Sequence, residues 1–176
     1  MSVLVYTESD NGKFKKNAFE AASYAHKLAE QLGTSVTAIT INVADSEVIG
    51  TYGVSKILKV TNDKLSIFNA KAYATTIAQA VENEGATAIV VSSSTDTKYM
   101  AAILAGILNA GYCTNVVAPP ISTNPLVVKR TAFSNKGFAH TQYKTTTNII
   151  GVSNNAYGIF ENNLNPEVEN FEPSLN

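Results

Sequence analysis

Short β-branched runs alternate with helical stripes of small apolar residues through the first two thirds of this chain, and that alternation restricts its architecture. Val3 to Tyr6 form the first run, and Ala18, Ala21, Ala22, Ala25, Leu28, Ala29 and Leu32 then recur at helical spacing. Gly33 stands where a left-handed residue stops such a helix, and Val36 to Ile41 resume strand character. Asp45 is placed to cap a short helical turn ending near Gly50, before a strand over Ile57 to Val60. Asn69 reads as the N-cap of a second helix carrying Tyr73, Ile77, Ala80 and Val81 on one stripe, with Gly85 as its stop. Ala88 to Val91 form the next strand. The helix after it is expected to turn Met100, Ile103, Leu104, Ile107 and Leu108 toward the sheet and to end at Gly111.

A short strand is expected over Val116 to Ala118, after which Pro119, Pro120 and Pro125 interrupt regular structure. Beyond Pro125 the pattern becomes strand on strand, over Leu126 to Phe133, Phe138 to Tyr143 and Asn148 to Val152, which reads as an added hairpin. From Glu161 onward four glutamates, two prolines and no basic residue predict a tail that buries too little surface to order itself. The fold class expected is therefore α/β, a mainly parallel twisted sheet with helices on both faces and an antiparallel edge hairpin. The expected layering is a three-layer sandwich of the Rossmann type, resembling that of the adenine nucleotide alpha-hydrolases.

Charge and cysteine usage narrow the function classes. Thirteen Lys plus Arg against fourteen Asp plus Glu leave a formal charge of -1, so no global positive field is available to hold nucleic acid. The single cysteine, Cys113, closes no internal disulfide, and with His26 and His140 it cannot complete a four-ligand zinc site. Cys113 has no CxxC partner and reads as a small buried hydrophobe; neither histidine has a nucleophile and carboxylate spaced to suggest a triad, and both read as surface or packing residues. The opening MSVLVYTESD lacks the basic flank of a signal peptide, and no window approaches the roughly 18 apolar residues of a membrane span. These features predict a cytoplasmic, bacterial chain in a reducing compartment, without membrane insertion.

Ligands of open α/β sheets bind beyond the carboxyl ends of the strands, which singles out Thr7 to Gly12, Asn42 to Asp45 and Ser92 to Thr97. The first loop reads as a hairpin-like turn, because its glycine arrives only at the end. Ser92-Ser93-Ser94-Thr95-Asp96-Thr97 has two readings: hydroxyls at a helix N-terminus make an anion seat, and Ser94 or Thr95 equally serves as a cap. Gly50-Thr-Tyr-Gly53 fails the dinucleotide fingerprint, and no Walker lysine motif is present. Lys129, Arg130, Lys136 and Lys144 fall in a stretch with no acidic residue from Leu126 through Phe160, either a charged sheet edge that deters aggregation or a partner surface.

The segments VLVYTE with NGKFKKNAFEAASYAHKLAEQLG, TYGVSKILKV with NDKLSIFNAKAYA, IVVSSSTDTKYMAAILAGILNAGYCTNVV, VKRTAFSNKGFAH and IIGVSNN follow one family's order and spacing. Together they resemble the N-terminal domain of the electron transfer flavoprotein alpha subunit over essentially the whole chain. The closing FEPSLN resembles the connector to that family's next domain, so 1–160 is expected to be the domain and 161–176 an acidic linker or tail toward a missing FAD domain. The resemblance implies an electron carrier rather than an enzyme, heterodimeric with a beta subunit, taking electrons from dehydrogenases such as acyl-CoA dehydrogenases and passing them to a quinone reductase. It implies FAD in the full-length protein but none in this chain, and assigns no catalytic, cofactor-binding or metal-binding residue here. What it leaves is a scaffold and subunit-interface role. The alternative is a stand-alone adenine-nucleotide-binding protein of the universal-stress or ATP-pyrophosphatase type; a flavodoxin-like FMN carrier is a third.

Overall fold

The computed structural model describes residues 2–175. The expected alternation is present as β1 (Ser2–Tyr6), α1 (Lys16–Leu32), β4 (Val36–Ile41), β5 (Lys56–Val60), α2 (Ala70–Glu84), β6 (Ala86–Val91) and α3 (Thr95–Leu108). A two-residue-strand hairpin, β2 (Ser9–Asp10) with β3 (Lys13–Phe14), interrupts the path from β1 to α1. The later strands are β7 (Gly111–Val116), β8 (Ser122–Thr123), β9 (Leu126–Ala132), β10 (Gly137–Gln142), β11 (Asn148–Val152) and β12 (Glu167–Asn170). The main sheet runs β10-β9-β7-β11-β6-β1-β4-β5-β12, with β8 beside β9. From β7 to β12 neighbours are parallel, while β7, β9 and β10 pair antiparallel. The fold class is the one the alternation predicts.

Strands buried on both faces explain the continuous apolar runs: Val3, Leu4 and Val5, like Ile89, Val90 and Val91, are wholly buried. α1 covers one face, where Tyr24, Ala25 and Leu28 meet Val3, Val5 and Val90. α2 and α3 cover the other, where Tyr73, Ile77, Met100 and Leu104 meet Leu4, Ile39 and Ile89. Gly33 and Gly85 end α1 and α2 in the left-handed region as expected, and Asn69 accepts from the Ala72 N–H. Asp45 precedes the 3-10 turn Ser46–Thr51 but makes no side-chain cap.

Several expectations are corrected. Asn148–Val152 is not part of the edge hairpin; it is an interior parallel strand between β6 and β7, with Ile149 and Ile150 wholly buried. Its apolar run had the character of a doubly covered strand, and only its proximity in sequence to the hairpin disguised that. The strand expected at Val116 to Ala118 instead spans Gly111–Val116, because pairing with β11 organises polar residues that carry no strand signal of their own. α3 ends at Leu108 rather than at Gly111, with Asn109 in the left-handed conformation as its C-cap, and Ile103 and Ile107 are exposed rather than turned to the sheet. Finally, the tail after Glu161 is ordered. β12 adds parallel to β5, Lys56 Nζ lies 2.9 Å from Glu169, and Phe171 and Leu175 pack against the α2 side of the core. Backbone pairing orders this segment where its composition promises little apolar burial. Gly50 permits the close approach, since a Cβ there would stand 2.6 Å from the Leu164 carbonyl oxygen.

Candidate functional site

The chain leaves β1 toward α1 and β4 on one side, then returns through α2 to β6 on the other, so the β1–β6 boundary is the sheet's topological switch point. Two of the loops singled out from the sequence meet there. In the first, Asn11 and Gly12 both have positive φ (48° and 76°), which closes the β2–β3 turn in the manner expected of Asn-Gly. That turn brings Lys15 and Asn17 back over Glu8. In the second, the Ser94 hydroxyl accepts from the Thr97 N–H at 3.1 Å, so the capping reading of this loop holds.

Glu8 joins the two loops. It is 3% exposed, and its carboxylate accepts from four side chains: Lys15 Nζ at 2.7 Å on Oε1, and Asn17 Nδ2 (2.8 Å), Ser92 Oγ (2.7 Å) and Thr97 Oγ1 (3.1 Å) on Oε2. Burial alone would push this carboxyl up; the hydrogen bonds from Lys15, Ser92 and Asn17 outweigh it and hold it below the usual carboxylate range. The hydroxyl seat beside the start of α3 is thus filled by an anion the chain supplies itself. The sequence reading of this loop as a hairpin-like turn gave Glu8 no part in it. The available signal was a carboxylate two residues past an apolar strand, opposite a Ser/Thr cluster at the start of a helix.

Outside Glu8 lies a cleft of about 350 Å³ that also meets Asp10, Asp63 and Asp96, with Tyr6, Phe68 and Tyr73 along its walls. Asn42, from the third loop, reaches the same cleft and ties the ends of β4 and β5 by a reciprocal pair with the Asn62 backbone. Asp45 is not among the lining residues.

A second internal anion sits on the opposite face of the sheet. Glu20 of α1, 5% exposed, accepts the Asn155 N–H on one oxygen at 2.7 Å and the Ala156, Tyr157 and Gly158 N–H groups on the other, each at 2.9 Å. Successive amides converging in this way form an anion nest, and Ser23 extends the strap by accepting from the Phe160 N–H. His26 packs beneath Gly53 with Nδ1 3.2 Å from its carbonyl, His140 is exposed on β10, and Cys113 is buried, in line with their bland readings. Among the described residues no cluster of three His, Cys, Asp or Glu could hold a metal ion.

At the sheet edge the β9–β10 hairpin exposes Phe133 (84%) and Phe138 (65%), and Lys129 Nζ lies 4.2 Å from the Phe138 ring centroid. No described helix is long and apolar enough to cross a membrane.

The profile of the electron transfer flavoprotein domain matches residues 3–175, and the chain belongs to that family. The family is one of flavin-associated electron carriers. No curated protein matches this sequence.

Proposed function

We propose that this chain is the N-terminal domain of an electron transfer flavoprotein alpha subunit, a scaffold and contact domain for the beta subunit. In this reading FAD is held by a C-terminal domain toward which residues 161–176 lead. The assembled carrier passes electrons from dehydrogenases such as acyl-CoA dehydrogenases to a quinone reductase. The observation that carries the reading is the state of the switch point. Where an α/β domain of this layout would bind the phosphates of a nucleotide, Glu8 already satisfies Ser92 and Thr97, and Asp10, Asp63 and Asp96 surround the approach. A pyrophosphate there would meet carboxylates rather than donors. The same point counts against a stand-alone adenine-nucleotide protein.

Two features support the contact role. The hairpin presents exposed aromatic rings among Lys129, Arg130, Lys136 and Lys144, the pairing of apolar anchor and basic rim that a protein interface uses. The acidic tail is held against the domain: Ser174 bonds the Gln79 amide through both its N–H and its carbonyl, and the Leu175 carbonyl accepts from Lys64 Nζ. Reconstitution tests the proposal. After incubation with FAD and desalting, the chain alone is expected to show no flavin absorbance, and to co-elute with a beta subunit through a surface that Phe133→Ser and Phe138→Ser weaken. Stoichiometric flavin retained by the chain alone, or no association with the beta subunit, would overturn it.

A further inference from the structure

The switch-point cleft has properties that the scaffold role does not use. Asp10, Asp63 and Asp96 all line it, and none has an ion-pair partner among the described residues; the one ammonium present, Lys15, is committed to Glu8. A second observation is independent of these charges. Tyr6 is 2% exposed and lines the cleft, yet its hydroxyl has no hydrogen-bond partner among the described residues, whereas the neighbouring Tyr73 hydroxyl donates to the Leu65 carbonyl at 2.9 Å. A phenol buried on every side but the cleft, whose oxygen is reachable there and has no partner from the protein, offers a bound ligand a hydrogen bond.

We propose that this cleft binds a small organic cation of the diamine or polyamine class, with its ammonium groups facing Asp63, Asp96 and Asp10, one of them bonding the Tyr6 hydroxyl. The aromatic walls suit the alkyl stem: Tyr73 packs edge-on to Tyr6 (ring centroids 6.2 Å apart) and to Phe68 (4.9 Å), offering apolar surface and ring faces to a desolvating ammonium. A metal ion fits less well, because among the described residues no three carboxylates converge on one point. Charges distributed around an elongated space match a ligand whose own charges are separated. Burial, then the neighbouring Tyr73, Glu8 and Asp96, hold the Tyr6 phenol well above its usual range, so it stays a neutral oxygen able to accept an ammonium N–H.

The ammonium assignment stands independently of the subunit reading. Calorimetric titration with putrescine and spermidine at low ionic strength is expected to show saturable binding, with amide shifts centred on Tyr6, Asp63, Tyr73 and Asp96; butanediol, the uncharged analogue of putrescine, is expected to leave them unmoved. Asp96→Asn and Asp63→Asn each weaken binding roughly tenfold, the loss of one charged hydrogen bond. Tyr6→Phe removes a hydroxyl that bonds no other group of the protein, so it keeps the melting temperature while weakening binding several-fold. Competition with a beta subunit tells a free amine from a lysine presented by that partner, and either result retains the ammonium site. The proposal is overturned by no saturable binding, by shifts centred on Glu161, Glu167, Glu169 and Glu172 instead, or by wild-type affinity in Tyr6→Phe and both Asp variants.

Discussion

Glu8 and Glu20 are both buried, both face four donors, and both tie together parts of the chain far apart in sequence, yet the regions around them are built on different principles. Around Glu8 the donors are side chains: an ammonium, an amide and two hydroxyls, each able to turn about its own bonds. Around Glu20 the donors are four backbone amides of one loop, fixed in direction by the chain itself. The first arrangement adapts to a change in its anion; the second requires one. The domain fills both of its strongest donor clusters with its own carboxylates, which is why a fold associated with nucleotide sites presents an acidic cleft instead.

The sharpest test of that contrast is an isosteric neutral substitution at each position. Glu20→Gln keeps one oxygen for the Ala156, Tyr157 and Gly158 amides but turns an NH₂ group toward the Asn155 N–H, setting donor against donor. We expect a loss of about 3 kcal/mol, close to that of Glu20→Ala, from charged hydrogen bonds to amides that cannot reorient. For a chain of this length that lowers Tm by roughly 6–12 °C. Hydrogen exchange should rise selectively at residues 155–158. Glu8→Gln should cost about half as much, ~1.5 kcal/mol, because Ser92 and Thr97 can rotate to suit the amide. Equal losses in denaturant titrations of the two variants would erase the distinction between rotatable and fixed donors.

The two regions also differ in how far the sequence exposes them. Val3 to Tyr6, the alanine-rich stripe of α1, Asn69, Gly85 and the Asn11-Gly12 turn announce themselves because strand burial, capping and positive φ each demand particular residues at short range. Glu8 and Glu20 do not, since their partners lie up to 138 positions away and no local rule links a carboxylate to them. The exposed faces of Ile103 and Ile107 were illegible for a related reason: an apolar residue on a helix records that something covers it, and periodicity cannot say whether that cover is the sheet. The ordered tail is the opposite case. Its order comes from backbone pairing with β5, which leaves little compositional trace.

Acid provides a smaller perturbation on the Glu8 side of the comparison. The Glu8 carboxyl ionises more readily in the folded protein than in the unfolded chain, where a glutamate titrates near about 4.3. Its contribution to stability is therefore complete above that value and is lost as pH falls through the lower folded one. Between those limits wild type should lose stability that Glu8→Gln does not, so their melting curves converge on acidification. Parallel pH profiles would mean that Glu8 is not the group responsible.

The smallest effect expected is at Lys15, the one formally charged donor in either cluster. Its ammonium makes a 2.7 Å contact with Glu8, but the side chain is 40% exposed, so water and salt screen the pair far more than they screen the hydroxyls behind it. Lys15→Met keeps an unbranched stem and removes the charge; we expect a loss of ~0.5–1 kcal/mol at low ionic strength that shrinks as salt is added. The alkaline limb runs opposite to the acid one. Hydrogen bonding to Glu8, partly opposed by desolvation, raises the Lys15 pKa, so its contribution is whole below the unfolded lysine value and disappears as pH climbs through the higher folded one. A Lys15→Met loss as large as that of Glu8→Gln, and indifferent to salt, would show that the ion pair rather than the hydroxyl seat holds Glu8 in place. The neutral donors would then be followers of the charge, and the contrast with the Glu20 nest would rest on charge rather than on freedom of rotation.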